Sequence, residues 1–140
     1  MRPTRFFAAG ASGLLFGGAF LGSAAPAHAD TVASVTEASL LAKGAAVALE
    51  ISYTCEPGFE LYAAGTLTQR VGKATVSGSA AAGPSRIACT GESQLLTLNV
   101  TPGSGAFKRG EAFFSLYYNS CHPDIFICTE GQTQSVVRVG

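Results

Sequence analysis

The chain has 140 residues, and nine Lys and Arg balance nine Asp and Glu, so its formal net charge is zero. No basic excess points to nucleic acid or to an anionic membrane surface, and the single methionine, absent tryptophan and abundance of Ala, Gly, Ser, Thr and Val argue against a helical bundle. Four cysteines, an even number, point instead to an exported domain stapled by two disulfides.

Arg2 and Arg5 precede an apolar, small-residue stretch from Phe6 to Ala25, and Pro26-Ala27-His28-Ala29 ends in a small-x-small pattern before Asp30. This is the layout of a secretory signal peptide over residues 1–29. The competing reading is an uncleaved anchor, since roughly 20 apolar residues span a bilayer, but the many glycines and alanines weigh against it. The arginines are not adjacent, so a twin-arginine route is unsupported, and no cysteine lies near the cleavage point to carry a lipid. Cleavage would leave residues 30–140, which is 111 residues with seven Lys and Arg against nine Asp and Glu. That is one domain by length, large enough to bury about two-thirds of its unfolded surface. The expected product is secreted, extracellular, free of the membrane and monomeric.

Residues 31–42 lack a sharp period and are expected to form an edge strand. From Ala45 the chain alternates strictly: Val47, Leu49, Ile51, Tyr53 and Cys55 share one face, Ala46, Ala48, Glu50, Ser52 and Thr54 the other. This predicts a half-buried strand, closed by a turn at Glu56-Pro57-Gly58. A second alternation places Phe59, Leu61, Ala63, Gly65 and Leu67 on one face. Lys73 to Ser79 is a third strand, and Ala80 to Ser85 breaks the pattern as a loop. Arg86 to Thr90 resumes briefly, with Ile87 and Cys89 on one face. Leu95 to Thr101 turns Leu96, Leu98 and Val100 to one side before the loop Pro102-Gly103-Ser104-Gly105. Glu111 to Ser120 carries aromatics on both faces, which predicts a central strand covered on both sides, at least in part. The last strand, Gln132 to Val139, is expected to pair back antiparallel.

About seven short strands with turn signals every ten to fifteen residues predict an all-β fold, a small antiparallel immunoglobulin-like β-sandwich, with a small barrel as the alternative. Of the three possible cysteine pairings, Cys55–Cys89 with Cys121–Cys128 is favoured. Six residues between Cys121 and Cys128 suit a hairpin loop, which leaves Cys55 and Cys89, with 33 residues between them, for a link between the sheets.

The signal peptide, the mature length near 110 residues, the Ala/Gly/Thr/Val-rich strands and the short late cysteine loop resemble the secreted immunoglobulin-like sandwiches of actinomycetes, best known from the neocarzinostatin-type apoproteins. That resemblance implies a seven-strand sandwich whose cleft holds a hydrophobic small molecule. It covers general layout only. The first cysteine interval is far longer here than in that family, so no ligand-contacting residue carries over.

Catalytic signals are sparse. His122 is the one histidine beyond the signal segment, and no G-x-S-x-G elbow supplies a nucleophile for it. Cys121, His122, Asp124 and Cys128 could in principle hold a metal, but exported thiols oxidise and C-x-x-C spacing is missing. Glu50 and Glu60 fall on the polar faces of two strands that could be neighbours, an ordinary solvated arrangement, and Glu56 and Glu92 add no defined separation. Gly103-Ser104-Gly105 is a turn with no helix after it to cradle phosphate. No catalytic residue, metal or cofactor is therefore assigned.

Two binding readings remain. In the loop from Cys121 to Cys128, His122, Asp124, Ile125, Phe126 and Ile127 form a candidate binding loop. A short covalent ring cannot bury three consecutive apolar residues beneath itself, so they either cap the core as a strand continuation or are presented to a partner. The second is the aromatic set Phe107, Phe113, Tyr117, Tyr118, Tyr53 and Tyr62, which lines either a cleft for an apolar ligand or the core. The sequence thus points to a secreted, non-enzymatic binding or surface-interaction module, whose partner is a protein or an apolar small molecule. The alternatives are an inhibitor presenting the Cys121–Cys128 loop to an extracellular protease, and a small-molecule carrier.

Overall fold

In the computed structural model, residues 30–82 and 86–140 form eight β-strands and one 3-10 turn. The expected signal peptide, residues 1–29, and residues 83–85 of the expected loop lie outside the described residues. β1 spans Val32–Leu41, β2 Ala46–Thr54, β3 Glu60–Val71, β4 Ala74–Ala81, β5 Ile87–Ala88, β6 Gln94–Pro102, β7 Gly110–Cys121 and β8 Cys128–Val139.

The strand ladders are antiparallel and build two layers: β1-β2-β6, and β4-β3-β7-β8 with the short β5 added to β3. The layers meet at one margin through Gly78–Pro102 and Ser79–Thr101. At the other margin, the N–H of Gly140 donates to Ala38 O (3.0 Å) and its carbonyl accepts from Leu40 N–H (2.9 Å). That pair of bonds is a parallel bridge, so β1 and β8 run in the same direction. The immunoglobulin-like β-sandwich expected from the sequence is formed, with eight strands rather than seven.

Alternation sets the core. Val47, Leu49, Ile51 and Tyr53 of β2 and Leu96, Leu98 and Val100 of β6 face Leu61, Ala63 and Leu67 of β3 and Ala112, Phe114 and Leu116 of β7. Burial raises the phenol pKa of Tyr53 above its ordinary 10.0, so this core carries no phenolate at neutral pH. Gln69 is a buried polar exception. Its amide donates to Lys108 O (2.7 Å) and Glu111 O (3.3 Å) and accepts from Lys108 N–H (2.8 Å), which docks the β6–β7 loop on β3. Every polar atom the amide buries has a partner, as burial demands.

Four expectations need correction. β7 is interior to its sheet, but its outer face is open: Phe113 is 45% and Tyr117 39% exposed, because no third layer among the described residues covers that side. β8 begins at Cys128 rather than Gln132, because Thr129 to Gly131 pair with Tyr118 to Ser120 despite their polarity. β4 reaches Ala81, held by pairing of Ala80 and Ala81 with Gly65 and Ala64. Glu50 and Glu60 are not on neighbouring strands: the Pro57-Gly58 turn carries the chain from one layer to the other, so β2 and β3 share no ladder.

The β1–β2 connection, Ala42–Gly44, is left-handed at all three residues. Gly44, at φ +100°, accepts Phe107 N–H (3.0 Å) at its carbonyl, and a Cβ there would lie 2.0 Å from Phe107 O. Only glycine fits that approach.

Candidate functional site

Both disulfides pair as the spacing predicts. Cys55–Cys89 joins the end of β2 in one layer to the residue after β5 in the other, and both cysteines are buried. Cys89 N–H donates to Phe59 O (2.9 Å) and Gly91 N–H to Cys55 O (3.1 Å), so the staple sits in a bonded frame.

Cys121–Cys128 closes the β7–β8 hairpin across directly opposed residues. Beyond it His122 N–H donates to Ile127 O (2.8 Å), which extends the ladder by one pair, and Phe126 N–H donates back to His122 O (3.1 Å). That second bond spans four residues and makes a single turn at the tip. The His122 ring stands edge-on to the core residue Phe59, centroids 5.4 Å apart at 88°. Its Nδ1 accepts Asp124 N–H (3.3 Å). His122 is therefore the foot of the loop: its ring meets the core at Phe59 and one nitrogen orients the turn.

The apolar residues above this foot do not cap the core. Ile125 is 55%, Phe126 87% and Ile127 41% exposed, and Pro123 and Asp124 are also exposed. Phe126 has φ +56°, a left-handed conformation that costs a bulky L-residue roughly 1–2 kcal/mol. The covalent ring and the two turn bonds hold it there. Glu60, Arg86, His122, Pro123 and Phe126 line a hollow of about 310 Å³ at the base of the ring, and Arg86 is oriented by Asn119 Oδ1 (3.3 Å).

The five loop residues singled out from the sequence are thus together, in two roles: His122 and Asp124 shape the turn, while Ile125, Phe126 and Ile127 are offered to solvent. Sequence reasoning missed Phe59, Glu60 and Arg86 as the surroundings of the loop. The alternation marks Phe59 as core, but only the β3–β7 register shows that Glu60 lies opposite Cys121. The aromatic set does not converge on one cleft. Phe107 and Tyr53 are core, Tyr118 is partly buried against it, and Phe113, Tyr117 and Tyr62 point outward. Tyr62 and Tyr117 border an open saddle of about 620 Å³ with Ala64, Thr66, Ser79 and Gln132. Tyr117 Oη donates to Glu130 (3.1 Å) and accepts from Asn119 (3.3 Å). Among the described residues no group of three or more His, Cys, Asp or Glu is placed to hold a metal ion.

No protein-family model matches the sequence, and no curated protein does. Among solved structures the chain is similar to the crystal structure of AggA, the major subunit of aggregative adherence fimbriae type I from Escherichia coli. The identity is 13% and the TM-score 0.41, with 80% of this chain and 95% of that chain covered. A likeness that distant carries no function across, and the fold stands on the strand pairings described above.

Proposed function

We propose that the protein is an exported, non-enzymatic binding or surface-interaction module that docks through the apolar tip Ile125–Ile127. The observation that carries this reading is Phe126, an 87% exposed aromatic side chain held at φ +56° inside a disulfide-closed turn. Exposed Phe beside Ile is costly in water, and the backbone strain adds to that cost. A pre-ordered aromatic anchor loses little entropy on binding, so its apolar area converts more fully into affinity. Export is supported by the signal-peptide layout and by cysteines that are all paired among the described residues.

Two features weigh against the alternatives. A protease-inhibitor loop presents extended backbone for pairing with the enzyme, whereas Phe126 turns its N–H inward to His122. A carrier needs converging apolar walls, and here the aromatics are divided between core and outer face.

The test uses the immobilised protein and the medium and surface extract of its producing cells. Phe126→Ala is expected to leave stability within about 1 kcal/mol and to weaken capture of the wild-type partner by roughly tenfold or more. Capture unchanged by the substitution overturns the reading.

A further inference from the structure

The outer face of the β4-β3-β7-β8 layer carries a second site, separate from the loop. We infer that the saddle beside Tyr62 and Tyr117 binds a neutral oligosaccharide, one whose sugar rings carry equatorial hydroxyls and flat C–H faces.

Pleat and register build the saddle. On the outer face, Ala81, Ala64, Tyr117 and Gln132 form one row across the four strands, and Ser79, Thr66, Ser115 and Gln134 form the next. Tyr62 stands in the row before, opposite Asn119, which makes it a diagonal neighbour of Tyr117, about 7–8 Å away between their backbones. Two large rings thus border a floor of alanine, serine and threonine, and the drop in side-chain size leaves a hollow of about 620 Å³. Four strands span roughly 14 Å at ~4.8 Å per step, which admits more than one sugar ring. The walls are set before a ligand arrives. Tyr117 Oη donates to Glu130 Oε2 (3.1 Å) and accepts from Asn119 Nδ2 (3.3 Å), and Gln132 Nε2 donates to Ser115 Oγ (3.0 Å). Rings and amides already held in place lose little entropy on binding.

The lining selects the ligand. Among the described residues that form the saddle none is Asp, Glu, Lys, Arg or His, so an ionic ligand finds no counter-charge there. The carboxylate of Glu130, held at the Tyr117 hydroxyl, disfavours an anion further. A purely apolar ligand fits no better, because it would strip water from the hydroxyls of Thr66, Ser79 and Ser115 and from the Gln132 amide without replacing it. A neutral sugar meets both demands. Its axial C–H groups, slightly positive, lie against the negative face of a tyrosine ring, while its hydroxyls exchange hydrogen bonds with a floor that both donates and accepts. β-linked pyranoses with equatorial hydroxyls offer such a C–H face at every ring, which matches an open, shallow site better than a bent chain does. The saddle is also distinct from the tip: Tyr117 lies four residues, about 13 Å, from Cys121 along β7.

Titration calorimetry of the purified protein with cellohexaose, N-acetylchitohexaose and hexagalacturonate tests this. At least one of the two neutral hexamers is expected to bind, with Kd of about 0.1–1 mM, and the preference between them reads whether the sugar carries a plain hydroxyl or an acetamido group. The anionic hexamer is expected to bind about tenfold more weakly or not at all. Tyr117→Ala, which removes a ring, and Thr66→Arg, which fills the floor from an exposed position, are each expected to weaken binding about tenfold or more while keeping the wild-type circular dichroism. Tyr117→Phe keeps the ring face and is expected to stay within about threefold of the wild type. No heat with either neutral hexamer at about 10 mM overturns the inference. So does neutral-hexamer binding that survives both Tyr117→Ala and Thr66→Arg, or an anionic hexamer bound as tightly as the neutral ones.

Discussion

Replacing Cys55 and Cys89 together by alanine is expected to lower the free energy of unfolding by about 4 kcal/mol, whereas replacing Cys121 and Cys128 is expected to cost roughly 2 kcal/mol. The difference follows from loop length. The first bond closes a sequence separation of 34 residues and the second a separation of 7, and in the chain-entropy account the denatured ensemble gains more freedom when the longer loop opens. The long bridge is also the one that ties the two layers at an end where β5 is only two residues long. For a domain whose total stability is of order 5–15 kcal/mol, its loss puts folding itself at risk. Urea denaturation of both double variants under non-reducing conditions measures the two costs. Equal losses would show that the short ring is part of the folding staple and would remove its assignment as a presentation device.

The second large effect is expected at the contact of β3 with β7. Phe114 is fully buried, and its ring fills the space over Gly65: a Cβ at Gly65 would stand 2.4 Å from the ring. Leu98, from the opposite layer, closes the same site at 3.4 Å. Phe114→Ala is expected to cost about 3–5 kcal/mol, the range for emptying a buried aromatic site, and Gly65→Ala about 1–3 kcal/mol by overpacking. Because both act on one volume, Gly65→Ala combined with Phe114→Leu is expected to cost less than the sum of Gly65→Ala and Phe114→Leu each made alone, with a coupling of about 1 kcal/mol. A double-mutant cycle by thermal unfolding reads that coupling. Strict additivity would mean that the ring and the glycine do not share the space.

Much of the fold was legible because its dominant signal is period-two burial. Val47, Leu49, Ile51, Tyr53, Leu96, Leu98, Val100, Ala112, Phe114 and Leu116 recur at every second position of their strands, and each faces the core. The cysteine pairing was legible from spacing, since six intervening residues fit one hairpin and no other local closure competes. What alternation cannot encode is which strands become neighbours. Glu50 and Glu60 lie on consecutive strands yet on different layers, because a turn as short as Glu56–Gly58 serves a crossing between sheets as well as it serves a hairpin. The polar start of β8, Thr129 to Gly131, has no hydrophobic signature: it pairs with β7 through backbone bonds and through polar side chains, Thr129 with Ser120 (2.8 Å) and Glu130 with Tyr117 (3.1 Å). For the site, residue types marked the loop, but exposure decided its meaning. The run Ile125-Phe126-Ile127 fits either a cap on the core or a presented tip, and in the structure it faces solvent with Phe126 left-handed.

That outward turn is the central claim, and Phe126→Gly tests it most directly. Glycine adopts φ +56° without the steric cost that phenylalanine bears there. If Phe126 contributes nothing to the core and its backbone is strained for presentation, calorimetry should find the variant as stable as the wild type or up to about 1 kcal/mol more stable, a melting temperature unchanged or several degrees higher. A fall of several degrees would place Phe126 among the residues that hold the fold together, and the tip would no longer be a surface kept for a partner.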